Sequence, residues 1–176
     1  PHLAYWGQFD WRGEIDFETD EQWDRFFDTY QTWIVAVAAA CKDADGFVVG
    51  TELDKTVRFT ARWRQIIRAV REVTDAPLTY AANWTDYERI EFWDDLDVIG
   101  IQAYFPVADR PNATEAEIEA GWTKLMTQLN AYSAKVGKDI VFAELGYTAS
   151  PLAPVKPWSG REDDPAALPV QLRCMR

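Results

Sequence analysis

Four short apolar runs alternate with amphipathic segments along this chain of 176 residues. The apolar runs predict strands at about residues 46–52, 78–84, 96–104 and 139–145. The amphipathic segments have the three- and four-residue spacing of helices at about residues 20–42, 58–74 and 115–136. Apolar strands that alternate with helices are typical of a parallel sheet covered on both faces. The fold class is therefore predicted to be α/β.

Details of these elements can also be predicted. Asp20 is a plausible N-cap of the first helix, and Cys41 is expected to be a small buried hydrophobe near its end. Met126 is predicted to belong to the buried stripe of the long third helix. A short helix is expected at about 86–93, and the tail 151–176 is predicted to be mostly loop with one short helix at most.

Two architectures fit this order of elements: an open doubly wound sheet and part of a (β/α)8 barrel. The glycine-rich phosphate turn of many doubly wound nucleotide binders is absent from the sequence. Polar or aromatic residues instead occur at the carboxyl end of every predicted strand: Glu52, Asn83 with Trp84, Gln102 to Tyr104, and Glu144. The carboxyl ends of barrel strands build the active site in enzymes of that fold, so the barrel is favoured.

Composition excludes several kinds of chemistry. Eighteen basic and twenty-nine acidic residues give a net charge of −11, which disfavours nucleic acid and anionic membrane partners. No run approaches the roughly eighteen apolar residues of a membrane span. With His2 as the only histidine, and with two widely spaced cysteines, neither a serine triad nor a metal centre is expected, and no cofactor is predicted. Aromatic residues make up 14% of the chain, a surplus suited to a groove for ring-shaped neutral ligands.

Two of the predicted strands end in a glutamate, Glu52 and Glu144. Burying a carboxylate is costly unless it is paired or functional. For one such glutamate an ion pair with Arg or Lys is the simpler explanation, but two in matching positions favour an acid/base pair facing one cleft. Glycosidic bonds are hydrolysed by two carboxyl groups that flank the bond.

The motifs around these glutamates resemble the fourth- and seventh-strand signatures of clan A glycoside hydrolases. They are Gly50-Thr51-Glu52-Leu53 and the run from Phe142 to Tyr147. With these motifs included, the sequence is most similar to glycoside hydrolase family 113, a group of retaining β-mannanases. The further segments that carry this resemblance are Pro1 to Leu3, Trp11 to Ile15, Gly100 to Pro106, and Pro157-Trp158.

This resemblance implies roles for individual residues. Glu52 would be the general acid/base and Glu144 the nucleophile, with Tyr104 hydrogen-bonded to Glu144. Asn83 and Trp84 would contact sugar hydroxyls and stack on a ring, Trp6, Trp11 and Arg12 would line subsites, and Trp158 would cover the cleft. Tyr104 and each tryptophan could instead serve packing alone.

The resemblance also implies an incomplete barrel. The elements correspond to the end of the third barrel strand and to strands four to seven, whereas a whole barrel needs about 250 residues. We therefore expect a single truncated catalytic domain over residues 1–176, and association of two copies to cover its open sheet edges.

Several alternatives stay open. The expected substrate is an oligo- or polysaccharide, most simply β-1,4-mannan, but a β-glucanase or xylanase fits the same motifs. A catalytically weak or silent carbohydrate-binding fragment is a second hypothesis. A metal-dependent hydrolase using Asp94, Asp95 and Asp97 is disfavoured, because that cluster precedes a strand. The sequence shows no secretory signal pattern and leaves the localisation open.

Overall fold

The computed structural model describes residues 1–3, 10–159 and 164–176. Its strands are β1 (Phe47–Thr51), β2 (Leu78–Asn83), β3 (Ile99–Ala103) and β4 (Ile140–Leu145). They form one sheet in the order β1-β2-β3-β4, with β1 and β2 parallel. The predicted parallel α/β fold is confirmed.

Four α-helices accompany the sheet: α1 (Asp20–Ala40), α2 (Thr60–Arg71), α3 (Glu115–Val136) and α4 (Leu168–Cys174). Single 3-10 turns occur at Arg12–Glu14, Asp54–Thr56, Tyr87–Arg89, Trp93–Asp95 and Pro165–Ala167. The single helix predicted at 86–93 is instead the turn Tyr87–Arg89, and the next turn, Trp93–Asp95, begins at its last predicted residue. The chain divides into two compact units, Pro1–Ile101 and Gln102–Arg176.

The first unit has an aromatic core around Trp63 of α2, whose side chain is fully buried. The Trp63 ring stacks on Phe92 at a centroid distance of 5.6 Å and meets the Tyr80 ring edge-on at 5.0 Å. A Cβ atom at Gly50 in β1 would lie 2.6 Å from Trp63 and 2.9 Å from Tyr80. Only glycine therefore lets β1 pack this closely, and the core fixes the strand end that carries Glu52.

The second unit has its own core, which joins α3 to the segments after β3 and β4. Its buried members are Val107, Ala113, Ile118, Tyr147, Ala153, Val170 and Cys174. The Trp122 indole packs against this cluster and donates a hydrogen bond to the carbonyl of Cys174 at 2.9 Å. Helix α4 is therefore anchored on α3, within the tail predicted to be mostly loop.

The long helices begin with capping boxes. Thr19 is the N-cap of α1 and exchanges hydrogen bonds with Gln22, so the prediction of Asp20 as N-cap was wrong by one residue. Asp20 instead occupies the first turn, where a negative charge suits the helix dipole. Thr114 and Glu117 form the same arrangement at α3, which ends at Gly137 with a left-handed φ of 74°.

Two burial predictions were wrong. Cys41 is exposed because α1 ends at Ala40 and Cys41 is already its C-cap, beyond the packed face. Met126 is 41% exposed, since the buried face of α3 runs through Ile118, Leu125 and Leu129. None of the helices in the described part of the chain is long and apolar enough to cross a membrane.

Candidate functional site

Glu52 is the first residue after β1, and its backbone is unusual. Its φ of 49° lies in the left-handed region that non-glycine residues rarely adopt. Its N–H donates to the carbonyl of Ala81 at 2.9 Å, and the N–H of Leu53 donates to the buried hydroxyl of Tyr80 at 2.7 Å. Such strained residues cluster at functional sites and persist only where their surroundings hold them. Here β2 holds Glu52 in place.

The Glu52 carboxylate is bound by two side chains of the first unit. Its Oε2 accepts hydrogen bonds from Trp11 Nε1 at 3.1 Å and from Arg12 Nη1 at 2.6 Å. The side chains of Arg12 and Glu52 are only 15% and 12% exposed. This largely buried ion pair fixes the orientation of the carboxylate, and it is the kind of pairing that sequence reasoning gave as the simpler explanation for one strand-ending glutamate.

Trp11 and Arg12 owe their position to a tight turn. The N–H groups of Glu14 and Ile15 donate to the carbonyls of Trp11 and Arg12 at 3.1 and 3.2 Å. A Cβ atom at Gly13 would lie 2.0 Å from the Trp11 ring, so glycine is required for the ring to fold back over the turn. Trp6, the third residue predicted for this region, lies outside the described residues.

Asn83 is the last residue of β2 and Trp84 follows it, at the carboxyl end where they were predicted, and both are half-buried. The side-chain oxygen of Asn83 accepts a hydrogen bond from the N–H of Thr85 at 3.4 Å, and its carbonyl accepts one from the N–H of Asp86 at 2.9 Å. Asn83 therefore shapes the turn that presents Trp84. Their contacts with sugar stay predictions.

Asp54 and Asp86 are two acidic residues that influence each other's pKa, an interaction that sequence reasoning missed. Burial, together with the hydrogen bond and charge of Asp86 and the charge of Glu52, raises the pKa of Asp54 to about 9. Burial also tends to raise the pKa of Asp86, but hydrogen bonds from Asp54 and Arg89 and the charge of Arg89 outweigh it and lower that pKa. The only signal in the sequence was that each aspartate lies within three residues of a strand's polar end.

Glu144 belongs to the second unit and is the fifth residue of β4. Its Oε2 accepts a hydrogen bond from the Tyr104 hydroxyl at 2.8 Å. A Cβ atom at Gly146 would lie 3.0 Å from the Tyr104 ring, and the hydroxyl of Tyr147 donates to the carbonyl of Phe105 at 3.0 Å. The segments after β3 and β4 are thus joined at two successive positions. The hydrogen bond that the resemblance implies is present, and the catalytic roles stay predictions.

Two further residues of the second unit bear on the site. Gln102 near the end of β3 is 1% exposed, and neither of its amide atoms has a hydrogen-bond partner within the described residues. Such a group is unusual in a folded interior and was not among the predicted site residues. Trp158, predicted to cover a cleft, is 50% exposed.

The aspartates considered for a metal site are engaged in ion pairs. Arg64 binds Asp94 at 2.8 Å and Asp95 at 2.7 Å, and Arg71 binds Asp97 at 2.7 Å. These pairs join α2 to the segment before β3. The three carboxylates thus make stabilising ion pairs within the first unit.

Comparison with known proteins gives consistent matches. The profile of Glycoside Hydrolase Family 113 matches residues 7–175. The structure is similar to the GH113 β-mannanase AaManA from Alicyclobacillus acidocaldarius in complex with ManMIm, with a TM-score of 0.81 and 28% identity over 94% of this chain and 51% of that chain. A complex structure of a GH113 β-1,4-mannanase matches with a TM-score of 0.78 and 25% identity, over 93% of this chain and 52% of that one. A search of curated proteins gave no match.

A third solved GH113 β-1,4-mannanase, 23% identical with a TM-score of 0.77, supports the fold alone. The chain spans about half the length of these solved relatives. The fold is confirmed as part of a (β/α)8 barrel. On the match over nearly its whole length, the chain belongs to glycoside hydrolase family 113.

Proposed function

We propose that this chain carries the two carboxyl groups of a retaining glycoside hydrolase that cleaves β-1,4-mannan. Glu144 is the nucleophile and Glu52 the general acid/base. The observation that carries the proposal is that each glutamate lies at the carboxyl end of a strand of one parallel sheet, Glu52 just after β1 and Glu144 near the end of β4, and accepts a hydrogen bond from a side-chain donor. Two similar structures are those of a β-mannanase and a β-1,4-mannanase, which supports mannan as the first substrate to test.

The reaction would proceed in two displacements. The Glu144 carboxylate attacks the anomeric carbon while Glu52 protonates the departing glycosidic oxygen, which gives a covalent glycosyl ester on Glu144. Glu52, now ionised, removes a proton from water, and the resulting hydroxide equivalent attacks the same carbon and releases Glu144. Two inversions retain the configuration of the sugar. Tyr104 assists by donating a hydrogen bond to the Glu144 carboxylate, which loses its negative charge when the ester forms and regains it when the ester is hydrolysed.

Sugar binding is assigned to the aromatic and polar residues near the strand ends. We infer that Trp11, Arg12, Asn83 and Trp84 contact sugar from the first unit, and Trp158 from the second. Trp6 is proposed from the sequence alone. Aromatic rings stack on the apolar faces of sugars while amides and guanidinium groups bind hydroxyls. The net charge of −11 suits a neutral polysaccharide.

Hydrolysis of three polymers by matched variants tests this proposal. Reducing-sugar release from β-1,4-mannan, β-glucan and xylan is measured for the unaltered chain, Glu52→Gln and Glu144→Gln. Exposed Glu72→Gln and Glu119→Gln serve as controls. We expect mannan to be preferred, and we expect each site variant to lose about 10²–10⁴-fold in rate while the controls keep full activity. Equal activity of site and control variants would refute the proposal.

One observation favours a second candidate function, sugar binding without turnover. Arg12 Nη1 lies 2.6 Å from the Glu52 oxygen that also accepts a hydrogen bond from Trp11. The positively charged guanidinium of Arg12 therefore already binds the carboxyl group that is proposed to protonate the leaving oxygen. A silent binding fragment would bind mannohexaose in calorimetry yet release no reducing sugar. Substitution of Trp84 by Ala would then weaken binding, and Glu144→Gln would change nothing.

We also propose that two copies of the chain associate. Strand β4 lies at one end of the sheet order, and its Val141 and Leu145 side chains are 47% and 41% exposed. Exposed apolar residues on an edge strand favour pairing with another chain. A second copy is the proposed partner of this surface.

A further inference from the structure

The two oxygens of the Glu52 carboxyl group have different surroundings. Oε2 accepts one hydrogen bond from Trp11 Nε1 at 3.1 Å and another from Arg12 Nη1 at 2.6 Å. Oε1 accepts no hydrogen bond from any residue within the described ranges 1–3, 10–159 and 164–176. The protein therefore holds one oxygen of this largely buried side chain and leaves the other to exchange a proton.

The two donors decide which oxygen carries the proton when Glu52 is a neutral acid. A carbonyl oxygen has two lone pairs, and the N–H groups of Trp11 and Arg12 fill both of those on Oε2. A proton on Oε2 would take one of these lone pairs and displace a donor. Neither donor can accept in return, because an indole N–H only donates and a guanidinium stays protonated. The proton of the acid form belongs on Oε1.

The segment that supplies both donors is fastened to the first unit at further points. Asp16, just after the 3-10 turn, accepts a hydrogen bond from Lys55 Nζ at 3.1 Å, and Lys55 lies in the turn after β1. The next residue, Phe17, meets the Trp23 ring of α1 edge-on at a centroid distance of 4.9 Å. The Trp23 indole also donates to the carbonyl of Phe17 at 3.1 Å. The two donors are therefore held beside the carboxyl group by contacts other than their own.

We propose that Trp11 and Arg12 are positioning residues for Glu52: they hold Oε2, so that Oε1 is the oxygen that exchanges the proton during hydrolysis. The proposal rests on the proposed function, in which Glu52 is the acid/base. In the first displacement the Oε1–H bond breaks and its proton goes to the glycosidic oxygen, which keeps the electron pair of its broken bond to the anomeric carbon. The Arg12 guanidinium compensates the negative charge left on Glu52. In the second displacement Oε1 takes a proton from the attacking water.

Positioning of the acid and direct contact with sugar make different predictions for the same side chains. A sugar contact affects every substrate that carries the sugar. Positioning of Glu52 affects the first displacement only where the leaving group needs a proton. The sugar alkoxide that leaves from mannan needs one, whereas 2,4-dinitrophenolate is a stable anion and needs none. The Trp11 ring can stack on a sugar while its Nε1–H binds Glu52, so the two roles must be separated by substrate.

The test measures kcat/KM, which reports the first displacement, on mannan and on 2,4-dinitrophenyl β-mannobioside. Arg12→Met should lose about 10- to 100-fold on mannan and stay within about threefold on the dinitrophenyl substrate. Trp11→Phe keeps a ring and should lose about 3- to 10-fold on mannan alone. Exposed Arg68→Met and Trp33→Phe are the controls and should lose nothing. Equal losses on the two substrates, or no loss on mannan, would overturn the proposal.

Two further variants show whether Arg12 acts through Glu52. Arg12→Lys keeps a positive donor and should recover part of the mannan activity that Arg12→Met loses. In a chain that already carries Glu52→Gln, which has no proton to give, Arg12→Met should cause no further loss on mannan. A further loss of about tenfold in that double variant would show an action independent of Glu52 and would overturn the proposal.

Proton–nitrogen NMR of the indole groups separates this proposal from the proposed function. Trp11→Phe identifies the Trp11 Nε1–H signal among those of the nine tryptophans. Glu52→Ala should move that signal upfield, because the hydrogen bond is lost, whether or not the chain hydrolyses mannan. If Glu52→Gln abolishes hydrolysis but the Trp11 signal ignores Glu52→Ala, the positioning role is refuted and the proposed function stands. If the signal moves but Glu52→Gln leaves hydrolysis unchanged, the proposed function fails, and the positioning role fails with it.

Discussion

The proposed chemistry of this chain depends on single residues at the strand ends. Glu52 combines a left-handed backbone with hydrogen bonds from Trp11 and Arg12, and Glu144 accepts a hydrogen bond from the Tyr104 hydroxyl. The two carboxyl groups are thus given different surroundings. Different surroundings are what allow two like groups to act as acid and nucleophile.

The hydrogen bond from Tyr104 to Glu144 leads to a prediction at this scale. Tyr104→Phe removes the hydroxyl 2.8 Å from the carboxylate and leaves the ring that packs over Gly146. A hydrogen bond to a charged group contributes about 1.5–3 kcal/mol, so kcat on mannan should fall about 10- to 100-fold. Steady-state kinetics measures the loss, with Tyr132→Phe on α3 as the control. An unchanged kcat would show that the tyrosine serves packing alone.

The residues of the site were only partly predictable from the sequence. Glu52, Glu144 and Tyr104 were proposed because each lies at the carboxyl end of a predicted apolar strand, within a recognisable motif. The hydrogen-bond partners of these residues were harder to predict from the sequence. Arg12 and Glu52 are separated by 40 positions, and their pairing depends on a turn whose conformation Gly13 permits. The interaction of Asp54 with Asp86 was missed because two aspartates that influence each other in the fold have the same sequence signature as two solvated ones.

Helices and strands are the level at which the sequence was most informative. The predicted third helix, 115–136, coincides with α3 because its apolar spacing is regular and Gly137 ends it. The terminal residues of the helices and the faces that they bury were predicted less accurately. Asp20 stands one residue after the true N-cap, and Cys41 lies just beyond the end of α1. Met126 is one position from buried Leu125, which turns its side chain by about 100° around the axis of α3.

The capping box of α3 gives a prediction at the scale of the element. Thr114→Ala removes the side chain that accepts from the N–H of Glu117 at 3.3 Å and donates to the Glu117 carboxylate at 2.8 Å. Loss of such a cap should lower the free energy of unfolding by about 1 kcal/mol. Urea unfolding measures the change. Thr123→Ala, an exposed site inside the same helix, should cause no loss, and an equal loss there would contradict a capping role.

The chain spans about half the length of its solved relatives, and β4, at one end of the sheet order, has the exposed apolar residues Val141 and Leu145. Light scattering at micromolar concentration should therefore give about twice the chain mass of 20.2 kDa. Val141→Lys places a charge on the exposed side of β4 and should shift the mass toward a monomer. Leu172→Lys on α4 is the control, at a similarly exposed leucine. A strictly monomeric unaltered chain would refute association.

The central claim, that Glu144 is the nucleophile of a retaining glycosidase, is tested most directly by trapping its glycosyl ester. A 2-deoxy-2-fluoro-β-mannoside with an activated leaving group slows the second displacement, so the covalent intermediate accumulates. Mass spectrometry should find one added sugar on the peptide that contains Glu144, and none in Glu144→Gln. Labelling of a different carboxylate, or hydrolysis of mannan with no adduct at Glu144, would contradict the account.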